Sequence, residues 1–354
     1  MSAYLHAIGV ATPDHDVHRA FIDWAADRVE PRARAVFQRM TRRAGIDHRW
    51  SVLPPAADGG SPVSPGGFYA DAPLPGTASR MAIYADAAPT LALEAVAALA
   101  AQVPLDGITH LVVASCTGFV APGLDQIVAR RLGLPGSVER LLIGFMGCYA
   151  AVAALRSARH IVRSEPAARV LVIACELSTL HLQDSSEPES LLAQLQFGDG
   201  AAAALVTGEP AGFALERPFA ATLPDSDALI RWTITDRGFA MILSGEVPRR
   251  IGTALADPGF CDTVTGGHGA GGIDAWAVHA GGRSILDAVQ TALALPDDAL
   301  DAARGVLRDH GNMSSATLMF TLARLLAGPP VTHGVALAFG PGLAAEGLGF
   351  RSAR

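Results

Sequence analysis

Apolar residues fall along this chain in short, nearly unbroken runs: 109–115 (THLVVAS), 169–175 (RVLVIAC), 201–206 (AAAALV), 274–278 (DAWAV) and 334–339 (GVALAF). Each is strand-length and bounded by Gly, Pro or polar residues, which predicts strands buried on both faces of a sheet. Between them, residues 86–102, 148–164, 283–293 and 314–327 carry helical patterns. Strands alternating with helices predict a layered α/β fold rather than a bundle or a sandwich.

The chain also rhymes with itself. ITHLVVASCTG and IDAWAVHAGG both run from a buried strand into a glycine-containing turn. Two pseudo-repeated halves are expected, residues 1–215 and 216–354, divided near 210–225 where GEPAG and ERPFAATLPD break the periodicity. The Pro/Gly/Ala-rich stretch 54–78 and GGHGAGG at 266–272 are expected to be surface loops. Neither follows a strand and opens a helix, as a phosphate cradle must.

Composition narrows the class. Half of the 354 residues are hydrophobic and 17% are charged, enough for a large core. A net charge of −7 argues against the broad basic surface of a nucleic-acid binder. Cys116, Cys148, Cys175 and Cys261 form no CxxC pair and read as free thiols of a reducing compartment, so a cytoplasmic protein is expected. The N-terminus meets acidic residues before any long apolar run, and no stretch reaches the ~18 uninterrupted apolar residues of a membrane span. Neither a secretory signal nor a membrane association is therefore expected. The run DHDVH, with His15 and His18 beside Asp14 and Asp16, has no third histidine or cysteine near it. It reads as a polar N-terminal loop, and no metal is expected.

Candidate chemistry begins at LLIGFMGCYAAVAALR, where Cys148 follows an apolar run and Gly147 and opens an Ala-rich helix. Gly147 permits a sharp turn that exposes the sulfur, and the helix N-terminus favours a thiolate. A buried core cysteine fits the segment as well. His279 leaves a buried strand just before Gly281 and Gly282, and Asn312 stands just before a helix. Alone, each fits a structural reading. Together the three have a chemical logic: His279 can hold Cys148 as thiolate through an ion pair, and His279 with the Asn312 amide can stabilise an oxyanion. A papain-like hydrolase uses the same residue types, but its cysteine sits in a different local context.

At CTGFVAPGLD (116–125), GCYAAVAALR (147–156), FGDGAAAAL (197–205), HAGGRSILD (279–287), GNMSSA (311–316) and FGPGL (339–343), the sequence resembles the type III polyketide synthases, the chalcone synthase-like branch of the thiolase superfamily. The resemblance implies a homodimer of thiolase-like αβαβα subunits. It also implies an acyl-CoA starter loaded on Cys148, decarboxylation of malonyl-CoA, and Claisen condensation of the two, with neither cofactor nor carrier protein. The product would be a pyrone, resorcinol or phloroglucinol type. By position, Cys148 matches the nucleophile, and His279 and Asn312 match the pair that polarises the malonyl carbonyl. Phe197 matches the aromatic residue beside the cysteine. Gly340, Pro341 and Gly342 match the loop at the site. Arg39 and Arg43, in FQRMTRRAG, match a CoA-binding helix; a solvated basic face is the other reading of that segment.

Departures from the family pattern concern the pocket. Met241 stands for a gatekeeper phenylalanine, and Trp232 for a small glycine, which implies a shorter cavity. Ser178, His181 and Cys116 replace cavity threonines; Cys116 reads as a second reactive thiol or as a small filler. Ala121 replaces a methionine that reaches into the partner subunit in plant members, and Ala280 and Arg283 replace two prolines. These changes fit a bacterial member rather than a dedicated flavonoid enzyme. Two alternatives share the fold. A ketoacyl synthase III-like initiating enzyme typically has its histidine in HQAN where this chain has HAGG. A non-catalytic binding protein would not need all three of Cys148, His279 and Asn312.

Overall fold

Pairing of the buried runs produces one mixed sheet whose two ends repeat each other. The computed structural model describes residues 2–57 and 59–353. The first half runs β1 (Ala3–Ala11), β2 (His15–Asp16), α1 (His18–Arg28), α2 (Pro31–Arg43), β3 (Trp50–Ser51), α3 (Thr77–Ala100), β4 (His110–Ser115), α4 (Leu124–Arg131), β5 (Glu139–Gly144), α5 (Ala150–Ser164), β6 (Val170–Leu177), α6 (Pro188–Gln194) and β7 (Asp199–Thr207). The second runs β8 (Phe213–Thr222), β9 (Ile230–Thr235), β10 (Gly238–Leu243), α7 (Val247–Ala256), α8 (Pro258–Thr265), β11 (Ala275–Val278), α9 (Arg283–Ala292), α10 (Asp301–His310), α11 (Ala316–Leu326), β12 (Gly334–Gly340) and β13 (Ala344–Ser352).

Strand order is β11-β12-β13-β8-β1-β7-β6-β4-β5. Outward from β1, the pairings with β7, β6 and β4 are antiparallel, antiparallel and parallel. Outward from β8, those with β13, β12 and β11 follow the same sequence. The two halves meet where β1 pairs with β8 from Ala3–Leu215 to Leu5–Phe213. Because β8 opens at Phe213, a division after residue 215 runs through a strand.

Two helices lie between the halves. α5 packs on β4 and β6 and also on β12 and β13, while α11 packs on β1 and β7 and also on β11 and β12. Helices covered on all sides must be apolar all round. Accordingly Ala150–Leu155 and Ala316–Leu322 are buried without a break. α3 covers the outer face of the first half, and α7, α9 and α10 share an outer core with Trp276, Val335 and Leu337 of the second. The result is a thiolase-like αβαβα fold.

Each of the five apolar runs forms a buried strand. α3, however, begins at Thr77 rather than near 86, because its first turns bury a polar residue that hides the periodicity. Arg80 sits inside, donating from Nη1 to the carbonyls of Leu180 and Leu182 and from Nε to that of Pro75. Among the described residues α3 is the helix long and apolar enough to cross a membrane; here its buried face lies on β1, β6 and β7. DHDVH is not a loose polar loop. Asp16 accepts from the backbone N–H groups of His18 and Arg49 and meets His48 Nδ1 at 2.8 Å, and His18 is buried.

The close approach of α3 to β1 depends on Gly9, where a Cβ would stand 2.2 Å from the Leu99 nitrogen and 2.3 Å from the Ala95 oxygen. Both are backbone atoms, so relief requires moving the helix. Gly9→Ala is expected to lower stability by roughly 1–3 kcal/mol, measured as a shift of the urea midpoint. A midpoint equal to that of the unmodified protein would show that α3 can lift off β1 without cost.

Candidate active site

Because α5 and α11 are sandwiched between the halves, the turns that lead into them meet. A 3-10 turn over Gly147–Tyr149 carries Cys148 into α5, and GNMSSA leads into α11. Backbone strain gathers here. Phe145 and Ser314 have left-handed φ values of 55° and 47°, conformations that L-residues adopt only where surrounding packing holds them. Gly147, at φ 78°, packs so tightly on Pro341 that a Cβ would lie 2.4 Å from its Cδ. A Cβ on Gly340 would come 2.6 Å from Tyr149 and 3.4 Å from the Cys148 nitrogen. The loop Gly340–Pro341–Gly342 is thus the backing of the cysteine turn.

Cys148, His279, Asn312 and Phe197 line one chamber, closed by Ile230, Met241, Leu243, Val247, Gly281, Ile285, Phe339 and Gly340. Its volume is only ≈ 30 Å³, the room of about two or three water molecules. His279 ends the β11 ladder with its N–H on Leu337 O at 2.8 Å. Asn312 is held through both ends of its amide: Nδ2 donates to Gly281 O at 3.2 Å, and Oδ1 accepts from Ser314 N–H at 2.8 Å. A β-bridge joins Asn312 to Phe197, with Gly198 N–H on Asn312 O and Asn312 N–H on Gln196 O. Wall and amide therefore move as one piece.

The sequence reading expected an exposed sulfur paired with His279. Instead Cys148 is buried, and its Sγ accepts a long contact of 3.9 Å from Ser314 Oγ. Neither nitrogen of His279 has a hydrogen-bond partner among the described residues. Burial pushes the Cys148 thiol up to about 12, against the hydrogen bonds from Ser314 and Asn312 that favour thiolate. Burial likewise takes the His279 imidazole down to about 3. An apolar chamber this small disfavours both charges, so the site rests as neutral thiol and neutral imidazole.

Behind the cysteine lies a group that the sequence reading missed. Glu176 is wholly buried on β6 and accepts from Cys116 N–H, Thr117 Oγ1 (both 2.9 Å) and Ser315 Oγ. Three donors favour its ionised form, but burial outweighs them and holds the carboxyl at about 7. An acidic residue inside the apolar run VLVIACEL was the signal available. Cys116 lines neither this chamber nor the second cavity described below. Its sulfur accepts from Gly147 N–H at 3.0 Å, and burial drives its thiol well above the ordinary range. It braces the turn that carries Cys148.

A second cavity, ≈ 80 Å³, lies across Phe197 and Met241, which line both spaces. Trp232, Ser178 and His181 stand in its wall, with Arg49, Tyr69 and Phe239. The Trp232 ring packs edge-on against Phe197, Phe239 and His181. His181 stacks on Phe239 at 4.1 Å; its Nε2 meets Thr117 O at 2.7 Å, and its Nδ1 accepts from Phe239 N–H at 3.0 Å. Both nitrogens are occupied and burial lowers its imidazole to about 4, so it is a neutral wall. Ser178 Oγ, Trp232 Nε1 and Arg49 Nη2 are buried without partners among the described residues. Ala121 is not in either cavity but exposed at the surface.

The expected pair Arg39 and Arg43 divides. Arg43 lines an open groove with Met40, Ala44, Gln196, Arg283 and Ser284, whereas Arg39, although exposed on the same helix, does not reach it. Arg283, which replaces a proline of the family pattern, adds a second cation, paired at 3.6 Å with Asp287 of the same groove, and donates from Nη1 to Arg43 O at 3.4 Å. Gln196, in the groove wall, packs against the Gly282 backbone, next in sequence to Gly281 of the chamber.

The chain matches the family described as chalcone and stilbene synthases, with the N-terminal domain over residues 2–210 and the C-terminal domain over 215–354. It is 37% identical to bisdemethoxycurcumin synthase of Oryza sativa subsp. japonica, covering 79% of this chain and 75% of that one. Identity is 32% to type III polyketide synthase A of Arabidopsis thaliana, covering 70% and 67%. Its fold superposes on PKS-I of the brown alga Ectocarpus siliculosus with a TM-score of 0.87 at 28% identity, over 99% and 98% of the chains. The C-terminal type III polyketide synthase domain of Steely1 from Dictyostelium shares the fold at a TM-score of 0.89 and 24% identity, over 100% of both.

Glu176 gives the site a pH signature in stability. Its carboxyl titrates at about 7 in the folded protein against an ordinary 4.5. As pH rises through that window the unfolded chain gives up this proton and the folded one keeps it, so stability falls and then levels above 7. Glu176→Gln should remove the fall, moving the difference in urea stability in its favour by on the order of 3 kcal/mol between about pH 4.5 and 7.5. Parallel profiles for the two proteins would mean that Glu176 is ionised throughout.

Proposed function

This chain belongs to the chalcone and stilbene synthase family and is a type III polyketide synthase, a premise from which we propose the roles of its site residues. The observation that carries the assignment is the convergence of one thiol, one imidazole with both nitrogens unpaired and one anchored carboxamide on a single apolar chamber. Cys148 attacks the thioester carbonyl of an acyl-CoA starter while its proton passes to the neutral His279. That proton leaves with the CoA thiol, and the acyl group remains on sulfur. Attack coupled to proton transfer suits a pair that rests uncharged.

Malonyl-CoA then places its thioester carbonyl where His279 N–H and the second hydrogen of Asn312 Nδ2 can both reach it. Loss of CO2 leaves an enolate oxygen that these two donors stabilise. The apolar wall of Phe197, Met241 and Ile230 disfavours the malonyl carboxylate and so favours its departure. The enolate carbon attacks the acyl thioester, a carbon–carbon bond forms, and Cys148 leaves as thiolate to recover a proton. Further rounds and ring closure give a pyrone, resorcinol or phloroglucinol type product.

The second cavity takes the growing chain. Carbonyls of a poly-β-ketone would find donors in Ser178 Oγ, Trp232 Nε1 and Arg49 Nη2, which have no partner among the described residues. Arg43 and Arg283 are suited to the CoA phosphates at the entrance. We read the enzyme as a homodimer, with the edge strand β5 (which exposes Leu141 and Leu142) and nearby Phe119 supplying apolar contact surface. Four free thiols fit a cytoplasmic protein.

Incubated with malonyl-CoA and an acyl-CoA, without carrier protein, the enzyme is expected to form tri- or tetraketide products. Cys148→Ala should abolish both product and the acyl-enzyme seen by intact mass. Asn312→Ala should slow malonyl decarboxylation by about 10²–10³. A strict need for malonyl-carrier protein, or acylation that persists without Cys148, would overturn the assignment. Removing the indole that fills the space beyond Phe197 should lengthen the product or admit larger starters, so Trp232→Gly is expected to shift the product profile by mass spectrometry. Unchanged chain length would place the limit elsewhere.

A further inference from the structure

At the far end of the sheet from Cys148, three side chains from three elements converge on one point. His110 opens β4, Glu139 opens β5, and Glu165 caps the C-terminus of α5. Cys116 and Cys148 follow the other ends of β4 and β5, so this cluster stands roughly 20 Å of strand away from the chemistry. The His110 side chain is 8% exposed. Its Nδ1 is engaged with Thr109 Oγ1 at 2.8 Å, which fixes the ring and aims Nε2 at the two carboxylates. Thr109 is held in turn by Arg169, whose N–H it accepts at 3.0 Å.

The distances decide what this cluster is built for. Nε2 lies 3.7 Å from Glu139 Oε2 and 3.9 Å from Glu165 Oε2, and it makes no hydrogen bond. A charge-assisted hydrogen bond would draw either oxygen to about 2.7–2.9 Å. Ligands about 2.0–2.2 Å from a shared tetrahedral ion stand about 3.3–3.6 Å apart, a few tenths of an ångström inside the two distances from His110. All three ligand atoms lie within 4.8 Å of one another. The two glutamates are well exposed, with side-chain accessibilities of 73% and 58%, and can close the remaining gap at little cost. An open groove of ≈ 350 Å³, with His160 and Ser164 in its wall, leaves room for water on the outer side.

We propose that His110, Glu139 and Glu165 form a binding site for a divalent transition-metal ion of the zinc type, stapling β4, β5 and the end of α5. One neutral imidazole and two carboxylates suit such an ion by donor type and offset its charge. Engagement of the far ring nitrogen is the orienting contact that metal-binding histidines use. The role is structural, since the site lies away from the acyl-transfer chamber and does not depend on what that chamber does.

The test uses the full chain, freed of any affinity tag and of metal by chelation. Zinc is titrated at about pH 7.5 by calorimetry, and melting is followed with and without it. One ion per chain should bind and raise the melting temperature. His110→Ala, and separately the double variant Glu139→Gln with Glu165→Gln, should weaken binding at least about tenfold and lose the thermal gain. The double variant changes side chains exposed in the single subunit and leaves the apolar residues of β5 intact, so it keeps the test open if His110→Ala does not fold. Polyketide formation in folded variants should stay at the level of the unmodified enzyme. No saturable zinc binding, or binding equally tight in the variants, would overturn the proposal and reduce the cluster to an ion pair.

Discussion

The constraint on which the site depends is the burial of α5 and α11 between two sheet halves. Neither helix has a solvent face over its first turns, so both must be apolar there, and their leading turns are fixed by what packs around them. Cys148 enters α5 and Asn312 enters α11 at one level of the sandwich, and His279 arrives from the β11 ladder that α11 covers. The pseudo-repeat makes this convergence possible, since α5 and α11 occupy equivalent places in the two halves. Left-handed backbone at Phe145 and Ser314 shows where packing overrides local preference to bring the turns together.

The same burial sets the electrostatics. Desolvation is the leading influence on Cys148, His279 and Glu176, and in each it favours the neutral form. Only Glu176 has enough donors around it to stay near neutrality in its titration. Its position links the two leading turns: it holds Cys116 and Thr117 after β4 and Ser315 at the head of α11, while Cys116 holds Gly147. One carboxyl thus ties three segments that must keep register for Cys148 to face Asn312. Pure apolar packing would leave that register less specified.

What the sequence disclosed followed from periodicity and from motif. The five strands foreseen were legible because each is apolar on both faces, and α9 and α11 because the glycines and polar residues at their ends punctuate them. β1 escaped notice because His6 and Gly9 interrupt it, the latter to admit α3. β13 was hidden by its glycines and by Glu346, whose charge meets Arg156 at 2.8 Å. Site residues beside glycines were found; Glu176 was not, since a buried carboxyl inside a strand has no spacing to betray it. Arg39 and Arg43 sit a turn apart on α2 and look equivalent in sequence. Only the position of α9 and Gln196 makes one of them line the groove.

A division of labour follows from where the two sets of residues are anchored. Cys148, His279 and Asn312 are tied into the nine-stranded sheet and its central helices, and Phe197 is bridged to Asn312 through the backbone. Trp232 and Met241 belong instead to the two-stranded ribbon β9–β10, where they face each other in register outside the main sheet. Changing either alters the cavity without loosening a strand that positions the reacting groups. Phe197 and Met241 are also walls of the Cys148 chamber, so a change at either reaches both spaces, whereas Trp232 lines the second cavity alone. The ribbon is therefore where the second cavity can change shape without disturbing the main sheet, with bulk at Trp232 and adaptability at Met241 acting against each other.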